Sequence, residues 1–90
     1  MKKITFTLIA DDRFDKNINQ KIKQLKELTN NKAKDINTEI RFLNERKSNS
    51  EEYKQIRVDV IAEINGTWNN AQSFVNSIQS QPIKEAKINL

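Results

Sequence analysis

Residues 33–45, AKDINTEIRFLNE, fit two periods at once, and the fold turns on which one they obey. Ala33, Ile36, Ile40 and Leu43 recur at spacings of three, four and three, as on one side of a helix. Ile36, Thr38, Ile40 and Phe42 alternate, as along a strand. The strand reading of 36–44 prevails because a hairpin partner follows it. Ile56, Val58, Val60, Ala62 and Ile64 alternate with Arg57, Asp59, Ile61 and Glu63, the pattern of a half-buried antiparallel strand over 55–64. Between the two, Arg46–Glu52 (RKSNSEE) reads as a polar connecting loop, with Glu51 and Glu52 solvating it.

On the N-terminal side, Ile4, Phe6, Leu8 and Ala10 alternate with Thr5, Thr7 and Ile9, a strand that ends at Asp11-Asp12. Ile18, Ile22, Leu25 and Leu28 then line one side of a helix. Asp15 favours its N-terminus, Phe14 staples it to the core, and Asn30-Asn31 offers a stop. On the C-terminal side, Asn65-Gly66 breaks the second hairpin strand and Thr67 is placed to cap a helix. Trp68, Ala71, Val75 and Ile78, with Phe74 beside them, form its apolar stripe, which puts Trp68 in the core. Pro82 stops that helix, and Ala86, Ile88 and Leu90 alternate in a short last strand.

The order is β-α-β-β-α-β, an α+β, ferredoxin-like arrangement of residues 1–90 as one domain. Two helices cover one face of a four-stranded antiparallel sheet, and the other face stays open. That open face carries Thr5, Thr7, Ile9, Glu39, Arg41, Leu43, Arg57, Asp59, Ile61 and Glu63. Ile9, Leu43 and Ile61 are its aliphatic members and mark a docking or homodimer patch.

Composition narrows the chemistry. Apolar residues make up 36% of the 90, yet there is one Gly and one Pro, so the chain has the makings of a core rather than of a disordered segment. The absence of Cys and His removes disulfides, thiolate metal sites and the commonest general base. With Gly66 as the only glycine, the chain lacks the Gly-rich backbone cradle of an acylphosphatase-like phosphate site. RNA-recognition domains share the topology but stack bases on aromatic residues of the central strands, where this chain offers Thr5, Thr7, Arg57, Asp59 and Ile61. No cofactor and no bound metal are expected.

The net charge of +4 is matched by residues 14–34 alone, which hold Lys16, Lys21, Lys23, Lys26, Lys32 and Lys34 against Asp15 and Glu27. A focus of that kind attracts an anionic macromolecule, either nucleic acid or an acidic protein surface. Met1-Lys2-Lys3 and the apolar run after it are too short for a secretory signal, and Asp11-Asp12 stand where a cleavage site belongs. A soluble, cytoplasmic protein without membrane contact is therefore expected.

The expected function is surface contact with an anionic partner, without catalysis. In size and Lys/Asn-rich style the chain resembles the small inhibitors that phages and mobile elements carry against host systems, anti-CRISPR proteins among them. In topology, length and Asp11 or Asp12 it also resembles the small CRISPR-associated endonucleases of ferredoxin-like fold. That resemblance implies a Mg²⁺-dependent nuclease in which Asp11 and Asp12 hold the ion.

Overall fold

Residues 33–45 divide between both of their periods. In the computed structural model, which describes residues 2–14 and 17–89, the chain is helical through Asp35 and a strand from Ile40 onward. The elements are β1 (Lys2–Arg13), α1 (Ile18–Asp35), β2 (Ile40–Ser50), β3 (Gln55–Gly66), α2 (Trp68–Ser77) and β4 (Glu85–Ile88). The sheet has the order β2-β3-β1-β4 with every pair antiparallel, so the fold is ferredoxin-like βαββαβ.

Helix α1 passes through Asn30-Asn31 instead of stopping there. Its buried stripe continues past them as Ile18, Ile22, Leu25, Thr29 and Ala33, and packing outweighs the few tenths of a kcal/mol by which each Asn disfavours a helix. Buried Thr29 satisfies its hydroxyl by donating to the Leu25 carbonyl at 2.7 Å. The stop comes at Asn37, whose φ of 54° is left-handed. The Thr38 amide donates to the Ala33 carbonyl at 2.9 Å and the Asn37 amide to the Lys34 carbonyl at 3.1 Å. Those two bonds close a Schellman motif, with Asn in the place more often given to Gly.

β1 and β2 both outrun their expected ends. β1 pairs with β3 along its whole length, from Lys2 opposite Gly66 to Arg13 opposite Gln55. β2 takes in most of the expected polar loop and pairs as far as Ser50 opposite Gln55, leaving a turn at 51–54. Residues 44–50 are mostly exposed, so no alternation of apolar residues marks them as strand. β2 also carries a bulge. Phe42 faces Ala62 and Asn44 faces Ile61, which leaves Leu43 without a partner and reverses the facing of every later residue relative to a regular ladder.

The core lies between the sheet and the helices, with Phe6, Leu8, Leu25, Val58, Val60, Val75 and Ile78 fully buried. Phe6 and Phe74 meet edge to face, their ring centroids 6.0 Å apart. Thr67 caps α2 through its side chain, which accepts from the Asn70 amide at 3.2 Å. Trp68 is not a core residue. The stripe of α2 centres on Ala71, Phe74 and Val75, which leaves Trp68 on its flank and 48% exposed. Among the described residues, no helix is long and apolar enough to cross a membrane.

Candidate functional site

The lysines of α1 do not form one face. Lys16, like Asp15, lies outside the described residues. Lys21 turns inward, donating to the Asp11 carbonyl at 3.1 Å and standing 3.7 Å from the Asp12 carboxylate. Lys26 is ion-paired with Glu45 of β2, and its ammonium lies 5.6 Å from the centre of the Phe42 ring. Lys23, Lys32 and Lys34 are exposed. Lys23 and Lys34, three turns apart, share the outward side, whereas Lys32 lines a groove of about 700 Å³ between the C-terminal end of α1 and α2. The lining of that groove includes buried Ile64, Ala71 and Phe74, exposed Ile36, and Asn, Ser and Thr side chains with Lys32 and Asp35.

Asp11 and Asp12 are successive residues of β1 and therefore lie on opposite faces of the sheet. Asp11, opposite Arg57, accepts from the Lys84 ammonium at 2.8 Å on the open face. Asp12 stands on the helix side with Lys21. The two carboxylates do not converge on a common point, and each has a lysine against it. Among the described residues, no three His, Cys, Asp or Glu side chains cluster as metal ligands.

The aliphatic trio is also divided. Ile9 sits between Asp59 of β3 and Glu85 of β4 and is 2% exposed, so it offers no docking surface. Ile61 is half-buried, and Leu43 is exposed on the bulge, out of register with both. Thr7 beside Ile9 is covered too, its hydroxyl donating to the Asn89 side chain at 2.8 Å.

The open face gathers something else: all four arginines of the chain. The register places Arg41 opposite Glu63, Arg46 opposite Asp59, Arg57 opposite Asp11 and Arg13 opposite Gln55, on the side away from Val58, Val60 and Ala62. They run diagonally from β2 across β3 to β1, a stripe of roughly 26 Å at about 3.3 Å per residue. Each is exposed. Arg57 is held in place by Asp59, with contacts of 2.9 and 3.5 Å. That hydrogen bond, and then the carboxylate's charge, raise the Arg57 pKa above its ordinary value, so the guanidinium stays charged. Arg41 stands 4.0 Å from Glu63, which Lys3 also approaches at 3.9 Å. Among the described residues, Arg13 and Arg46 have no ion pair.

Among the described residues of the strands, with Lys84, the face carries seven cations (the arginines, Lys3, Lys84 and Lys87) against Asp11, Asp59, Glu63 and Glu85, and exposed Glu39 stands just before β2. The bulge contributes to that surplus. A regular ladder after Phe42 would turn Leu43, Glu45 and Lys47 to the open face, whereas the bulged strand turns Asn44, Arg46 and Ser48 there. Glu45 and Lys47 go to the helix side, where they meet Lys26 and Asn19 of α1. A signal for this face is present in the sequence: Lys is spread over helices and strands, but Arg occurs only at strand positions.

No known protein family, curated protein or solved structure matches the chain.

Proposed function

We propose that this protein is a non-catalytic binding module that grips the phosphate backbone of a nucleic acid with its open sheet face. The placement of all four arginines on that one face carries the reading. Guanidinium is a planar, permanently charged fork that matches phosphate in two-point contact, which a lysine ammonium cannot do. Among the described residues the face has no aromatic platform and no cleft for base edges, so contact is to the backbone and sequence preference is weak. The lysines of α1 add a general positive field, with Lys21 and Lys26 already committed to internal partners.

The test is fluorescence anisotropy with labelled oligonucleotides at increasing salt. Arg13 and Arg46 alone predict that log K falls with log salt at a slope of about −1.4 on single strands, and exchange of the Asp59 and Glu63 carboxylates for phosphate at Arg57 and Arg41 would steepen it to about −3. Absence of binding at low salt, or a slope near zero, would overturn the reading. Binding to polyglutamate but to no oligonucleotide would transfer the same surface to an acidic protein partner.

A further inference from the structure

We infer that the hollow at the turn end of the sheet receives an unpaired nucleobase, which makes single-stranded nucleic acid the partner of the arginine face. This rests on the backbone-gripping reading above and names its substrate class. The hollow measures about 480 Å³ and is lined by Arg13 and Phe14, at and just beyond the end of β1, and by Glu52, Tyr53 and Lys54 of the β2–β3 turn. The two segments are tied together, because the Phe14 amide donates to the Lys54 carbonyl at 3.3 Å.

Among the described residues, two aromatic side chains and two cations therefore line one hollow, beside a face that has no other aromatic. Tyr53 is 70% exposed and contributes nothing to the core, yet its backbone is anchored by a 3.3 Å bond from its amide to the Ser50 hydroxyl. Lys54 next to it is held in the left-handed region at φ 50°. Phe14 is half-buried, and among the described residues Glu52 is the one acid of the lining. Arg13 belongs to both features: it is the last guanidinium of the stripe and a wall of the hollow. A strand laid along Arg41, Arg46 and Arg57 is thus led to a place where a base can stack on an aromatic ring beside a positive charge. A duplex keeps its bases inside the stack and presents no free ring to that place.

The experiment measures the affinity of the full chain for a labelled single strand and for a duplex of the same length. It is repeated with Tyr53→Ala and Tyr53→Phe. The expected result is a preference for the single strand of about tenfold or more. Tyr53→Ala should lower single-strand affinity roughly five- to hundredfold without changing the salt slope, and Tyr53→Phe should retain it. Equal affinity for both forms, or full affinity in Tyr53→Ala, overturns the base-binding hollow and leaves the arginine face standing. A wild-type chain that binds neither form overturns both.

Discussion

Glu45 of β2 is ion-paired with Lys26 of α1, on the opposite side of the sheet from its neighbour Arg46. Both placements follow from Leu43, the residue that the β2–β3 ladder leaves unpaired. One extra residue thus sends a carboxylate to the helices and a guanidinium to the open face.

Deleting Leu43 should accordingly be mild. The deletion turns the bulge into a regular ladder, with Phe42 still opposite Ala62 and Asn44 still opposite Ile61, so every later partner is kept. Leu43 itself is 45% exposed and gives up little buried area. The urea midpoint should correspond to a change of less than about 1.5 kcal/mol, below the ordinary cost of core truncation. A chain that no longer folds would show that the bulge itself holds the sheet together.

Arg46 and Lys34 separate the sheet face from the helix as the place of contact. Arg46→Gln should weaken oligonucleotide binding and make the salt slope shallower by roughly 0.7 to 0.9, the share of one phosphate contact. Lys34→Gln, on the outward side of α1, should leave that slope unchanged. The reverse pattern in a salt titration would move the interface to the helix.

Asn37 sets the end of α1, and its left-handed backbone decides what may replace it. Asn37→Gly should be neutral or stabilising, because glycine adopts that conformation without steric cost. Asn37→Ala should cost about 1 kcal/mol, since the short polar Asn side chain tolerates the left-handed region and Ala does not. Chemical denaturation with an unchanged m-value checks both; equal stability of the two variants would count against the assignment.

Trp68, the sole Trp, reports on its own exposure. Its emission in the folded protein should be red-shifted and open to acrylamide quenching, and Trp68→Gln should cost less than the roughly 3–5 kcal/mol of a buried Trp truncation. Blue-shifted, quencher-protected emission would return this side chain to the core.

Fold and surface differ in how far the sequence discloses them. Val58, Val60, Ala62 and Ile64 advertise β3 because each faces a wall of apolar helix, so hydropathy alternates with the pleat. Asn44–Ser50 pair with β3 along one side, at the edge of the sheet, but have no apolar wall, and without one the strand looks like a loop. Asn30-Asn31 resemble a stop only if Thr29 and Ala33 are not counted in the stripe, and both are buried. The bulge at Leu43 leaves no mark on composition, so facing assigned by counting along β2 puts Glu45 where Arg46 stands. Charge totals favour the lysines, while the segregation of arginine onto strands gains meaning only once register shows that those positions share a side.

The strand order β2-β3-β1-β4 also governs how the chain assembles in time. β2 and β3 are joined by the turn at 51–54, whereas β1 must find β3 across α1 and β2, and β4 across nearly the whole chain. Closing those long loops costs entropy before any pairing repays it, so the arrival of β1 is expected to set the folding rate. Stopped-flow kinetics of Leu8→Ala in β1 should accordingly show slower refolding, and a change confined to unfolding would place β1 late in the sequence of events.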